Sequence, residues 1–368
     1  MMAMTNSYDP ETVRYFDIAH EGAQIRAIAQ ALPEIEKAVS GIDPRSVIIL
    51  ATDQVSRACA EFITSAPTPA SGRAVTGRWP VTVASALPGY VGALDVVVVV
   101  GERGECDWAS QALITAHNRG ATCVYAGPAE GPLAGDVPQS ELQIPALPGV
   151  EGLSPARVIA TIYAVLALAN RGAARNPELA GVLMGWAAAV DHELENLSPA
   201  RGADINPGRE LARFVAGAWS IHSGLGQPHP PEGTPTLGQR IGHVAAALWS
   251  AHGIPAAAVD TAQLPMVLEK YHERARELDA GTSHVDDIFH DPFIDGEAPR
   301  ADLVPLKVIL WAQDNTDLPH ALAVNSMASH SAEGRSVTGE SASPELSDIR
   351  TALCLIARAY AVTAYTPQ

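Results

Sequence analysis

The sequence predicts an α/β protein of doubly wound parallel sheets, and two observations carry that expectation. The first is the run Asp95 to Val100 (DVVVVV), closed by Gly101. Five consecutive valines leave no polar face, so the run reads as a central strand covered on both sides, as parallel sheets are. The second is the alternation of short apolar runs with helical patterns on either side of Arg171 to Pro177, the signature of strand–crossover–strand units. In open sheets of this kind ligands bind at the carboxyl ends of the strands, beside helix N-termini. The loop Gly101 to Asp107 is therefore the first place to look for a site.

Each element follows from local pattern. Val13 to Val39 has helical spacing, with Pro33 expected to divide it into two helices. Ser46 to Ala51 is a buried strand, followed by the polar turn Thr52-Asp53-Gln54 and a helix to about Ile63. Val81 to Ser85 is a short strand, and the valine strand leads into a helix from Cys106 to Asn118 that stops at Arg119-Gly120. Strands at Ala121 to Ala126 and Glu141 to Ile144 precede the apolar helix Ser154 to Ala169, with Ser154 as its cap and Pro155 in its first turn. The boundary between two subdomains, 1–172 and 173–368, is placed at the break after this helix. Beyond it come a helix (Glu178 to Leu197), a strand (Arg213 to Ile221), a helix (Leu237 to His252), a strand (Pro255 to Asp260), a helix (Pro265 to Leu278), a strand (Leu303 to Trp311), a further strand in Val324 to Ser331, and a closing helix (Pro344 to Ala364).

Composition excludes several classes. Of 368 residues, 47% are hydrophobic but only 5% aromatic, so the core is aliphatic. The formal net charge of −17 argues against a nucleic-acid or anionic-membrane surface, which needs clustered Lys and Arg. No apolar stretch is long enough to span a bilayer, and MMAMTNSYDPETVRYFD has neither a basic region nor an apolar core, so no leader is expected. Cys59, Cys106, Cys123 and Cys354 are scattered, with no metal or disulfide spacing. A cytoplasmic location is the simplest expectation. Gly101-Glu102-Arg103-Gly104 lacks the third glycine and the spacing of a dinucleotide fingerprint. No cofactor and no metal are expected. His284, Asp286, Asp287, His290, Asp291 and Asp295 fit no metal-binding spacing and read as a solvated acidic loop that Phe289 and Phe293 anchor. Cys106, at a helix N-terminus, reads as a partly buried inert thiol rather than a reactive one.

The stretch Pro80 to Leu133 resembles the sugar isomerase (SIS) fold, specifically bifunctional phosphoglucose/phosphomannose isomerases. Pro88-Gly89-Tyr90-Val91-Gly92 matches the family's P-x-W-V-G loop, Gly101 to Ser110 its S-Y-S-G-N-T-E-E-T, Arg119-Gly120-Ala121 its R-G-A, and Glu130-Gly131-Pro132-Leu133 its G-G-P-L. Ser154-Pro155-Ala156-Arg157 echoes its P-R-x-A helix, and Ile349 to Tyr365 its closing helix. The resemblance implies two tandem SIS-type, flavodoxin-like subdomains with helices on both faces. It also implies aldose–ketose isomerisation of hexose 6-phosphates, a small-molecule phosphosugar ligand and a homodimer. By this alignment the substrate-binding residues are Thr52, Asp53, Ser56, Gly101, Arg103, Gly104, Glu105 and Cys106.

The departures bear on activity. Two serines and a threonine that present hydroxyls to the substrate phosphate are replaced by Gly101, Arg103 and Cys106, while Glu102 and Glu105 add negative charge. In a semi-polar site each acid repels a phosphate by about 1 kcal/mol or more, and Arg103 can offset one by a bidentate contact. The first loop gains Asp53. No E-N-A-K motif lies between Leu237 and Pro255, the nearest echo of the H-N-E motif is His284-Val285-Asp286-Asp287, and no counterpart of the terminal catalytic Lys is expected. Isomerisation needs a base and a ring-opening group, for which Glu102, His222 and His284 are the candidates. Two readings stay open: a phosphosugar isomerase with a rebuilt site, and a non-catalytic phosphosugar-binding or regulatory protein on the same scaffold.

Overall fold

The computed structural model describes residues 9–65, 79–150, 152–169, 176–224, 236–279, 303–311, 326–329 and 349–366. The first half runs α1 (Pro10–Ile18), α2 (Glu21–Val39), β1 (Ser46–Ala51), α3 (Gln54–Thr64), β2 (Val81–Ala84), β3 (Asp95–Val100), α4 (Asp107–Asn118), β4 (Thr122–Gly127), the short α5 (Pro132–Gly135), β5 (Leu142–Pro145) and α6 (Pro155–Ala169). The second runs α7 (Asn176–Leu197), α8 (Pro207–Val215), β6 (Trp219–Gly224), α9 (Leu237–Ala251), β7 (Ala256–Ala258), α10 (Leu264–Asp279), β8 (Leu306–Trp311), β9 (Ser326–Ser329) and α11 (Ile349–Tyr365).

Both described sheets are parallel throughout, ordered β2-β1-β3-β4-β5 and β7-β6-β8-β9. Each sheet therefore reverses strand order beside its first strand, which places a crevice at the carboxyl ends of β1 and β3 and another at those of β6 and β8. The valine strand is central and at most 1% exposed from Val96 to Val100. Val96, Val98 and Val100 pack on one side with Ile28, Ile63 and Ile159, and Val97 and Val99 on the other with Leu113 and Tyr125. The doubly wound architecture expected from the sequence is the one observed. The face of sheet two bearing Ile309 and Trp311 joins the same cluster as α2, α6, α7, α9 and α11, so one apolar core runs through both halves.

Two local expectations are corrected. Pro33 does not divide the N-terminal helices: it lies inside α2, and the break falls at Ala19 and His20. Ile25, Ile28, Leu32, Ile35 and Val39 form an unbroken buried stripe on α2. Pro33 is on the exposed side, where water can satisfy the carbonyl that loses its donor, so packing overrides the local penalty. Residues 213–221 are not one strand. Asn206 caps α8 by accepting from Gly208 N and Arg209 N, Pro207 opens it, and Leu211, Ala212 and Val215 face inward. The strand starts at Trp219 and carries on to Gly224, which moves His222 from a loop into the interior of β6.

Candidate functional site

The crevice of sheet one is built by two loops that close on each other. Asp53 is the N-cap of α3. Its carboxylate accepts from Ser56 N at 2.8 Å, from Ser56 Oγ at 2.7 Å and, across the crevice, from Glu102 N at 3.1 Å. Thr52 Oγ1 accepts from Arg103 N at 3.3 Å. The successive amides of Glu102 and Arg103 together with the first turn of α3 form the kind of donor cradle that binds anions, and here a side chain of the protein fills it. Gly101 is required at this approach. Its φ is +137°, and a Cβ there would run into the side chains of Thr52 and Asp53.

Behind the loop lies a buried charge cluster. Arg157 on α6, only 1% exposed, makes an ion pair with Glu102 and donates to the Gly127 carbonyl at 3.3 Å. Burial raises the Glu102 carboxyl, while the charge of Arg157 pulls it back down. Glu21 at the start of α2 accepts from Ser154 Oγ and from Ala156 N at 2.8 Å, so it caps α6 from a different helix. Burial pushes Glu21 up to about 7. Tyr360 on α11 closes the cluster by donating to the Leu153 carbonyl at 2.8 Å.

The residues singled out from the sequence separate into groups. Thr52, Asp53, Ser56, Gly101 and Glu102 come together, with Thr52 and Ser56 buried. Arg103 and Glu105 are exposed at the rim. Gly104 accepts from Leu133 N at 3.0 Å and ties the loop to the start of α5. Cys106 caps α4 without a side-chain bond and is buried in the cluster under the other face of the sheet, away from the crevice. Glu102 is thus a buried, ion-paired group, not a solvated loop acid. His284 and the acidic loop with Phe289 and Phe293 lie outside the described residues. Among the described residues no group of three or more His, Cys, Asp or Glu side chains could hold a metal ion, and no helix is long and apolar enough to cross a membrane.

His222 is far from the role of an exposed base. It is fully buried between Trp249, edge-on at 4.5 Å between ring centroids, and Trp311, stacked at 5.8 Å. Trp311 Nε1 donates to its Nδ1 at 3.1 Å, so the ring's own proton sits on Nε2. Burial holds its pKa down to about 3, which leaves a neutral core histidine that neither titrates near neutrality nor reaches a ligand.

Sequence reasoning missed Glu21, Arg157 and Tyr360 as parts of the site. Arg157 sat in a quoted motif, but nothing local showed that its guanidinium would reach Glu102. A glutamate 81 positions before Glu102 in the chain carries no signal of proximity at all.

The fold is one of two parallel, doubly wound sheets, each with a crevice at the point where its strand order reverses. No protein-family model matches the chain, and no curated protein matches it. Solved structures do. The C-terminal domain of glucosamine-fructose-6-phosphate aminotransferase from Francisella tularensis is similar with a TM-score of 0.57 over 99% of this chain and 97% of that one, at 13% identity. Tagatose-6-phosphate ketose/aldose isomerase from Escherichia coli is similar with a TM-score of 0.54 over 99% of this chain and 94% of that one, at 14% identity. At such identities the likeness is one of fold.

Proposed function

We propose that this chain is a phosphosugar-isomerase-like protein with a degenerate site: it takes a hexose phosphate without turning it over at an ordinary enzymatic rate, and so serves as a binding or regulatory protein. The observation that carries this reading is Asp53. Its carboxylate holds the donors of Ser56 and Glu102 that a ligand phosphate would need. A dianion entering there would meet a like charge and find its donors already engaged. The phosphate is then met at the rim by the exposed Arg103, by a bidentate contact outside the cradle. Loss of the remote grip lowers turnover as well as affinity, because that grip is what aligns the reacting carbons. His222, buried between two tryptophans, offers no ring-opening group.

The two-subdomain division at 172/173 belongs to the same reading, supported by two parallel sheets that lie wholly on either side of it. So do a cytoplasmic location and a homodimer; sedimentation velocity checks the latter, and a monomer at micromolar concentration would remove it.

Two measurements test the function. In coupled assays with glucose 6-phosphate and fructose 6-phosphate, turnover is expected to fall at least about a hundredfold below the common 1–1,000 per second, one missing acid–base group alone being worth that factor. Turnover within that range rejects the degenerate-site reading in favour of an active isomerase. In thermal shift, fructose 6-phosphate or mannose 6-phosphate is expected to raise Tm by mass action, and Arg103→Ala to abolish the rise. No shift with a folded protein discards the phosphosugar ligand altogether.

The same geometry makes a prediction for Asp53 itself. Asp53→Ser keeps a capping side chain for α3 but empties the cradle of charge. Inorganic phosphate is expected to raise the Tm of this variant more than that of the wild type, which meets phosphate only at the rim. Equal shifts in both would show that Asp53 does not govern access.

A further inference from the structure

Three acids and one guanidinium meet behind the loop of residues 101–106. Asp53 has three donors of its own, and Glu102 has Arg157. Among the described residues Glu21 accepts from a hydroxyl and one amide and makes no ion pair. It is therefore the member on which a proton is held most readily, since buried like charges do not all ionise together. Arg157 is the pivot. Its two terminal nitrogens go to Glu102 and to the Gly127 carbonyl, while its buried Nε has no hydrogen-bond partner among the described residues. It follows directly on the helix turn that Glu21 caps, and the charges of Arg157 and Glu102 both act on Glu21.

We propose that Glu21, Arg157 and Glu102 form a proton-linked latch on the loop of residues 101–106. With Glu21 protonated, Arg157 is committed to Glu102, and the loop stays zipped to Thr52 and Asp53 through its amides. When Glu21 ionises, a second carboxylate competes for the guanidinium, the hold on Glu102 weakens and the crevice opens. The other titratable groups acting on the cluster are Tyr360 on α11, Cys59 on α3 and Tyr125 on β4, and Asp17 on α1 acts on Tyr360 in turn. Burial raises Tyr360 and Cys59 far above neutrality, so neither exchanges a proton in this range. Glu21, which lacks the ion pair that Glu102 makes, is the member placed to switch, and burial pushes it up to about 7. The latch does not depend on the identity of the ligand, so it can fail while the phosphosugar reading stands, and the reverse.

Hydrogen exchange read by mass spectrometry on the peptide spanning residues 101–106 tests it, at about pH 6 and about pH 8 and corrected for intrinsic exchange. The wild type is expected to lose about tenfold in protection at the higher pH. Glu21→Gln, which imitates the protonated acid, is expected to stay protected at both. Glu102→Gln is expected to be unprotected at both. Unchanged wild-type protection, a Glu21→Gln variant that follows the wild type, or a protected Glu102→Gln loop would each overturn the proposal. Should Glu21→Gln fail to fold, carbon-detected NMR of the wild type replaces it. One step near neutrality shared by the Glu21 carboxyl and the Glu102 amide supports the latch, and a Glu21 step that leaves that amide unmoved overturns it.

Discussion

Arg157→Leu is expected to lower folding stability by about 3–5 kcal/mol in urea denaturation, the usual result of stranding one member of a buried ion pair. The guanidinium is 1% exposed and the Glu102 side chain 9% exposed. Water therefore cannot replace what Glu102 loses, and the Gly127 carbonyl loses a donor in the same stroke. Leucine fills much of the volume, so packing alone does not account for a loss of this size. The double variant Arg157→Leu, Glu102→Gln is expected to recover most of it, because the stranded charge is gone. A loss below about 1 kcal/mol in the single variant would mean that Glu102 simply takes up a proton or swings to solvent.

Acidification is expected to remove about 5 kcal/mol through His222 alone. The imidazole titrates near 6.5 when unfolded and near 3 when folded. Between those values the unfolded chain binds the extra proton, so stability falls as pH falls, at about 1.4 kcal/mol per pH unit for one full proton. Glu21 acts with the opposite sign. Its folded value of about 7 lies above the ordinary glutamate value of 4.5, so its contribution is present below about 4.5 and is lost as pH rises through 7. The two slopes oppose each other from about 6.5 to 4.5. Below that, the His222 loss continues unopposed by Glu21 down to about 3. His222→Phe costs the Trp311 indole its acceptor and starts from lower stability, yet its slope below about pH 4.5 is expected to be shallower by one proton. Equal slopes in wild type and variant would show that His222 is charged in the folded protein.

Strands β1 and β3 were legible from residues alone because a β-branched run with no polar face has only one kind of environment that suits it. Helix α6 was legible for a related reason: Ser154 and Pro155 mark its start, and its apolar residues surround it on all sides. The misreadings came where local and tertiary terms compete. Pro33 carries a strong local penalty that the buried stripe of α2 outweighs, and residues 213–221 mix helix and strand signals that only the cap at Asn206 and the register of β6 on β8 resolve.

For the site, the residue pattern alone determined that the crevice at the ends of β1 and β3 is rich in acids and poor in hydroxyls, and that it is formed by Thr52, Asp53, Ser56 and the loop from Gly101. Those are neighbours along two short stretches, each ending a recognisable strand. Only the tertiary structure decided what the acids do. Asp53 turns inward onto the amide of Glu102, Glu102 is drawn under the sheet by Arg157, and Glu21 arrives from α2 to cap α6. Such pairings join residues 49 to 135 positions apart, and their strength comes from burial. Burial is a property of the packed core and is absent from any local spacing, which is also why His222 read as a loop base and folded as a neutral ring between two tryptophans.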